Sequence, residues 1–240
     1  MILQVVANNP ANTGIPMIWL IFGALMILSF IVQASLKRKF NRYAKVPLPY
    51  GMTGKDVAEK MLHDHGINDV SVVCIPGMLS DHYNPATKTV NLSQGVYSGN
   101  SIAAAAVAAH ECGHAVQHAT AYSWLKMRSA LVPFVSFSDR IVMWILLAGI
   151  LMVQSFPQLL LLGILLFAVT TLFSFVTLPV EINASQRAVA WLDNAGIATA
   201  ETRPMAVSAL RSAAYTYVIA ALTSLATLLY YILIYLNNRE

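Results

Sequence analysis

The chain carries few charged side chains. Asp, Glu, Lys and Arg make up 11% of its 240 residues, whereas 57% are hydrophobic and the mean hydropathy is +0.61. An ordinary soluble domain has about 25% charged residues, and about half of its residues are apolar. The shortage of charge excludes a typical water-soluble protein, and the sequence predicts a membrane protein of mainly α class.

Cysteine is also scarce. Cys74 and Cys112 lack the CxxC spacing of a cysteine-rich zinc site. The sequence has no internal repeat and no stripe of basic and aromatic residues, so we expect no nucleic-acid partner. Residues 1–14 contain no basic residue ahead of the first hydrophobic run, which predicts an uncleaved membrane anchor rather than a secretory signal.

Three long runs contain no charged residue, namely 15–36, 141–180 and 212–238. A single span needs about 20 residues, so the second run is long enough for two spans. The polar, proline-containing segment 154–158 divides it. We therefore predict an extracytoplasmic segment at 1–14 and transmembrane helices at 15–36, 141–153, 159–180 and 212–236.

Basic residues indicate the orientation of these helices. Five of them directly follow the first hydrophobic run, namely Lys37, Arg38, Lys39, Arg42 and Lys45. Cytoplasmic loops are enriched in Lys and Arg, so this end of the helix is predicted to be cytoplasmic. Alternating the other spans puts 37–140 and 181–211 in the cytoplasm with fourteen of the fifteen Lys and Arg residues, and leaves only Arg239 outside.

The most specific pattern in the chain is an HExxH motif formed by His110, Glu111 and His114. If residues 101–121 form one helix, the two histidines share a face and can hold one metal ion. Glu111 then lies beside that face, where its carboxylate can take a proton from a zinc-activated water and pass one to the leaving amine. Two histidines could share this spacing by chance, but the alanine-rich run before them favours a helix and hence the metal site.

A catalytic zinc site of this kind needs a third protein ligand. The best candidate is Glu181, which directly follows the third predicted span on the same side of the membrane as the HExxH helix. A glutamate in this place could also mark only the water boundary of the span. His118 continues the four-residue spacing, but three histidines spread over about 12 Å of helix cannot meet one ion, so we expect His118 to support the site or line its groove.

Two segments before the metal helix predict β-structure. Residues 70–74 and 87–92 are rich in β-branched side chains and are bounded by Pro76-Gly77 and Asn84-Pro85, which predicts a small hairpin or meander. An exposed sheet edge can pair with an extended peptide, as a peptidase substrate requires. The other interpretation is a structural hairpin that only covers the helix.

Several segments share a family likeness, namely 77–85, 88–93, the HExxH helix with its Gln117, 128–133, 178–185 and 216–218. They resemble the YugP-type bacterial membrane zinc metallopeptidases, over most of the chain from about residue 47 onward. The resemblance implies a Zn²⁺-dependent, multi-pass peptidase of the bacterial inner membrane. In the wider gluzincin group, which includes the HtpX-type and CAAX-prenyl proteases, the third ligand is a glutamate after a later hydrophobic segment, and Glu181 matches that position.

One position departs from the HtpX-type pattern. Four residues after the glutamate ligand that pattern has an aspartate, whereas this chain has Ser185. A serine hydroxyl can bond a ligand imidazole but does not raise its basicity as a carboxylate does. Asn183 and Asp81 are alternative sources of that support.

Three further side chains are candidates for contacts with the transition state. Arg187 carries a permanent charge six residues after Glu181 and could stabilise an oxyanion, although an arginine at a membrane edge needs no such role. His82 lies in a predicted loop, where a solvated histidine is common. Tyr217 begins the last span, where an interfacial aromatic belt explains it equally well.

These features predict a membrane zinc endopeptidase of four spans, with an α+β region at the cytoplasmic face and Glu111 as the general base. Its expected partners are the lipid bilayer and a peptide or protein substrate, misfolded membrane proteins included. Two alternatives stay open. One is an intramembrane protease with the HExxH helix in the bilayer, and the other is a zinc-containing scaffold without activity. The sequence does not predict the oligomeric state.

Overall fold

The computed structural model describes residues 11–238, with side chains from Met17 onward. Within that range the chain forms a short 3-10 helix at Pro49–Gly51 and three strands, β1 (Ser71–Ile75), β2 (His82–Asn84) and β3 (Thr89–Ser93). The same range contains seven α-helices, namely α1 (Ala11–Tyr43), α2 (Gly54–Asp64), α3 (Gln94–Tyr97), α4 (Ile102–Ala119), α5 (Ser123–Leu151), α6 (Pro157–Asn194) and α7 (Arg203–Asn237). The predicted class, mainly α with a small β region, is confirmed.

Four of the helices are long and apolar enough to cross a membrane, namely Met17–Tyr43, Ser123–Leu151, Pro157–Asn194 and Arg203–Asn237. They extend well beyond the uncharged runs of the sequence, because Pro133 in α5 and Pro179 in α6 lie inside helices without ending them. The predicted span 141–153 is thus largely the C-terminal half of the longer helix α5. Most of the predicted outer segment 1–14, and Arg239, lie outside the described residues.

The chain divides into two compact units. The helical unit consists of Met1–Ile31, Met127–Val176 and Tyr217–Glu240. The mixed unit consists of Val32–Lys126 and Thr177–Thr216. All the predicted site residues belong to the mixed unit except Tyr217, which belongs to the helical unit.

In the helical unit, α5 and α6 pack as an antiparallel pair. A Cβ added to Gly149 would lie 2.6 Å from the Cα of Leu160, and one added to Gly163 would lie 2.7 Å from a methyl group of Leu146. The two glycines therefore allow close helix contact, as small residues do in membrane bundles.

Polar side chains connect the helices of this unit. Thr170 of α6 donates a hydrogen bond of 3.0 Å from its hydroxyl to the carboxylate of Asp139 in α5. The hydroxyls of Thr171 and Ser224 lie 2.8 Å apart and link α6 to α7. Hydrogen bonds of this kind replace those that water cannot provide inside a bilayer.

In the mixed unit, the three strands form one sheet in the order β1-β3-β2. β1 pairs with β3 in parallel, and β2 pairs with β3 as an antiparallel hairpin in which Tyr83 faces Val90. β1 and β3 overlap the two segments whose composition predicts strands and each extends one residue further, whereas β2 has no such composition. β2 is an edge strand of this sheet, and it contacts α4.

The core of the mixed unit lies around α4. Ser101 caps this helix, because its hydroxyl accepts a hydrogen bond of 3.2 Å from the backbone N–H of Ala104. The alanine run that follows is almost entirely buried and allows α2 to pack closely. Val57 and Met61 of α2 and Leu92 of β3 complete this core. The helix that carries the HExxH motif is therefore packed on several sides.

Candidate metal centre

Three side chains from two helices meet at one point. His110 and His114 extend from α4 and Glu181 from α6, and one ligand atom of each lies within 4.8 Å of the other two. Glu181 Oε2 is 3.3 Å from His110 Nε2 and 3.6 Å from His114 Nε2. The structure therefore brings together the three side chains that the sequence suggests as ligands.

The residues at this point fit a zinc ion. Glu181 Oε2 is buried and accepts no hydrogen bond within the described part of the chain, although two imidazoles face it. A buried carboxylate oxygen without a hydrogen bond is costly, and a cation held between the three side chains would satisfy it. Two imidazoles and one carboxylate are a common zinc donor set, and three protein ligands leave the fourth position open.

The charges around His114 favour a cation in the same place. Burial disfavours the protonated form of this imidazole, but the nearby carboxylates of Glu181 and Glu111 outweigh burial and raise its pKa. Two carboxylates thus lie beside one buried and one partly buried imidazole, and the local field attracts positive charge.

Gly113 lets the two ligand-bearing helices approach closely. A Cβ at this position would lie 2.6 Å from the backbone oxygen of Ala184. Real side chains do not tolerate such a contact, so the helices meet backbone to backbone between the metal-ligand candidates. The small residue inside the HExxH motif is therefore required by packing.

Each histidine is also held through its second ring nitrogen. Ser185 Oγ lies 3.1 Å from His110 Nδ1, and Gln117 Oε1 lies 3.0 Å from His114 Nδ1. Such contacts orient imidazole ligands and set which nitrogen faces the metal. The sequence suggests the Ser185 contact, but it does not assign Gln117 to the site, although a position three residues after His114 on one helix face is a usable signal.

Glu111 lies in the same place, buried and fixed by the sheet. Its Oε2 accepts a hydrogen bond of 3.0 Å from the backbone N–H of Tyr83 in β2. This contact uses an outward-facing N–H of the edge strand, so the sheet positions the carboxylate that the motif assigns as general base.

His118 and Arg187 lie beside the centre rather than in it. His118 is outside the group of possible metal ligands, and its Nδ1 lies 2.8 Å from the phenol oxygen of Tyr83. Arg187 donates from Nε to Asn183 Oδ1 over 2.8 Å, and its guanidinium lies 6.0 Å from the ring centre of Tyr122.

Three other candidates have different surroundings. His82 is exposed, and its Nδ1 bonds the carbonyl of Ser80. Asp81 accepts from the backbone N–H and the hydroxyl of Ser93, so it stabilises the end of β3. Tyr217 lies near the start of the part of α7 that belongs to the helical unit.

Comparison with known proteins identifies the family of this chain. A family model described as "Putative neutral zinc metallopeptidase" matches residues 18–236, and the chain belongs to this family of zinc metallopeptidases. A protein of Bacillus subtilis (strain 168) named "Putative membrane protease YugP" is 40% identical over 217 residues, which are 90% of this chain and 96% of that protein. No solved structure matches the chain. The resemblance drawn from the motif segments is confirmed, and so is zinc as the expected metal.

Proposed function

We propose that this membrane protein is a zinc endopeptidase, in which His110, His114 and Glu181 hold the metal and Glu111 is the general base. The observation that carries the proposal is the convergence of the three ligand atoms within 4.8 Å, with the Glu111 carboxylate buried beside them. When bound, zinc polarises the peptide carbonyl and makes an attacking water more acidic.

The protein supplies proton transfer at a fixed point. Glu111 takes the proton of the attacking water on its carboxylate and later delivers a proton to the leaving amine. The Tyr83 N–H holds one carboxylate oxygen at 3.0 Å, which keeps the base from turning away while the other oxygen exchanges the proton. We propose that an extended substrate peptide runs along β2, which is an edge strand of the sheet.

The position of the site along α6 favours substrates that lie close to the bilayer. Glu181 directly follows the uncharged part of α6, so a metal-ligand candidate and a candidate membrane span share one helix. We propose that the protein lies in the bacterial inner membrane with this site facing the cytoplasm, where the basic segments are placed by the positive-inside rule. Peptides and membrane proteins that expose unfolded segments there are the proposed substrates.

Proteolysis of an unfolded reporter tests the activity. Detergent-purified wild type, Glu111→Gln and Glu59→Gln are compared for casein cleavage, and the zinc content of each is determined. Glu59 is an exposed residue of α2 that forms an ion pair with Lys55, so its variant is a matched control. We expect Glu111→Gln to lose cleavage and retain zinc, while Glu59→Gln keeps both. Equal cleavage by wild type and Glu111→Gln would exclude Glu111 as the base, and a zinc-loaded wild type without cleavage would favour a scaffold.

Cysteine labelling tests the orientation. In a protein without native cysteines, Ser98→Cys in the mixed unit and Asn237→Cys at the end of α7 are both exposed positions. An impermeant maleimide added to intact cells is expected to label Asn237→Cys at once and Ser98→Cys only after permeabilisation. The opposite pattern would reverse the proposed orientation.

A further inference from the structure

We propose that three side chains, Arg187, Asn183 and Gln117, act in series to hold His114 in the tautomer whose Nε2 can bind a metal. We call them the amide chain. The proposal rests on the metal-binding role of His114 proposed above. It assigns Gln117 as a positioning residue and gives Arg187 a role other than oxyanion stabilisation.

The series begins at a group that can only donate. The guanidinium of Arg187 has no acceptor, and its Nε donates to Asn183 over 2.8 Å. The atom of Asn183 that faces it must therefore be the carbonyl oxygen. The orientation of the Asn183 amide follows from the chemistry of its neighbour.

The orientation of Gln117 follows from two acceptors. Its Nε2 lies 3.1 Å from that Asn183 oxygen and 2.8 Å from the backbone oxygen of Val180. A rotation of the Gln117 amide by half a turn would place its oxygen against both of these oxygens. Gln117 is 0% exposed, so no water is available to relieve such a contact.

The tautomer of His114 follows in turn. Gln117 Oε1 faces His114 Nδ1 at 3.0 Å, and an amide oxygen only accepts, so Nδ1 must carry the proton. A neutral imidazole has a single N–H. Nε2, the nitrogen that faces Glu181, is therefore left with a lone pair for the metal.

The two histidines differ in this respect. Ser185, which contacts His110 Nδ1, has a hydroxyl that can donate or accept and so does not dictate a tautomer. Gln117 also bonds the carbonyl of Val180, the residue before Glu181. One side chain thus orients a ligand of α4 and ties it to the turn of α6 that carries the carboxylate ligand.

The test is the zinc dissociation constant of the full-length protein in detergent, measured by competition with a chelator. Gln117→Met keeps a similar shape without hydrogen bonds, and we expect it to weaken zinc binding by about 10- to 100-fold. Asn183→Leu should weaken binding less, because the Val180 carbonyl still orients Gln117. Asn183→Asp should bind zinc nearly as the wild type does, because a carboxylate accepts from both neighbours. Gln186→Met, at an exposed position of the same helix, is the control and should change nothing.

Two measurements separate positioning from general destabilisation. Because Asn183 acts through Gln117, the double variant Gln117→Met/Asn183→Leu should bind zinc no more weakly than Gln117→Met alone. The ¹⁵N chemical shifts of the His114 imidazole in zinc-free protein should show a protonated Nδ1 in the wild type and a mixture of tautomers in Gln117→Met. If Gln117→Met does not fold, Gln117→Leu, which also lacks an acceptor toward His114, takes its place with the same expected loss.

Unchanged zinc affinity in Gln117→Met would overturn the proposal, as would equal losses in Asn183→Asp and Asn183→Leu. A wild type that binds no zinc would instead overturn the proposed function. The two failures are therefore distinguishable without any measurement of proteolysis.

Discussion

Ser185 Oγ lies 3.1 Å from His110 Nδ1, so the helix that provides the carboxylate ligand also holds one of the histidines of the other helix. Ser185 is four residues after Glu181, and both therefore face α4. Side chains of α6 thus hold ligands of α4, and side chains of α4 contact the ligand-bearing turn of α6. The geometry of the metal ligands therefore depends on the distance between the two helices.

Removing the Ser185 hydroxyl should loosen His110. We expect Ser185→Ala to weaken zinc binding toward the lower end of the 10- to 100-fold range typical of such supporting contacts, at about 10-fold. Ser185→Asp should restore or exceed wild-type affinity, because a carboxylate raises the basicity of the bound imidazole. Chelator competition measures both. An Asp variant weaker than the Ala variant would mean that the contact does not support the metal.

Gly113→Ala should disrupt the site through packing alone. Helix propensity by itself favours alanine by about 1 kcal/mol. The new Cβ would lie 2.6 Å from the Ala184 oxygen, however, and a forced contact in a packed core costs about 1–3 kcal/mol. We expect a lower midpoint of thermal unfolding and weaker zinc binding.

Gly95→Ala is the matched control, because a Cβ there meets nothing within 4 Å. It should leave the midpoint unchanged or raise it slightly. A Gly113→Ala protein as stable and as zinc-competent as Gly95→Ala would contradict the close helix contact.

The two cysteines should differ in reactivity. Complete burial raises the pKa of the Cys112 thiol well above its usual range, and this thiol points at the carbonyl of Ala58. The thiolate is the reactive form, so at neutral pH a maleimide should label Cys74, which is partly exposed, and not Cys112. Mass spectrometry of the folded protein reads this out, with the denatured protein as control. Fast labelling of Cys112 in a Cys74→Ser variant would refute the burial.

The start of α2 provides a prediction on stability and pH. Thr53 and Asp56 form a capping box, in which the Thr53 hydroxyl accepts from the Asp56 N–H while the Asp56 carboxylate accepts from the Thr53 N–H. Thr53→Ala should lower the free energy of unfolding by about 1 kcal/mol, whereas Thr87→Ala, in an exposed turn, should have little effect.

The pH dependence of this cap has a definite sign. Hydrogen bonds from the Thr53 side chain and backbone lower the pKa of Asp56, so the folded state favours the charged carboxylate. Its contribution is present in full above the ordinary aspartate range and is lost as pH falls through the lowered pKa. The stability difference between wild type and Thr53→Ala should therefore be larger at neutral pH than in acid, where only the bond from the Asp56 N–H to the Thr53 hydroxyl still contributes. A constant difference would assign the effect to something other than Asp56.

The features predicted well from sequence depend on local spacing. The HExxH helix follows from alanine propensity and a serine cap, and the four candidate spans follow from runs without charge. Glu181 could be suggested because the alternation of spans places it on the side of the metal helix. In each case residues near each other in the chain carry the information.

The features that were missed depend on contacts between distant segments. β2 is three residues long and exists because it pairs with β3 and faces α4, not because of its composition. Gln117 interacts with Val180 and Asn183, more than sixty residues away, and no local pattern marks that contact. The bond from Arg187 to Asn183 is likewise not marked by any local pattern.

The hydrogen bond between Asp139 and Thr170 has a consequence for the lipid around the protein. Thr170 is thirteen residues after Pro157, about 20 Å along α6, whereas the hydrocarbon core of a bilayer is about 30 Å thick. If the α5–α6 connection lies at one face of the membrane, the pair holds a carboxylate well inside the hydrocarbon, at a cost of about 2.5–3.5 kcal/mol unless water or headgroups reach it. We therefore expect a thinned and hydrated patch of bilayer beside α5, where polypeptide segments too polar for ordinary lipid meet a lower barrier to entry.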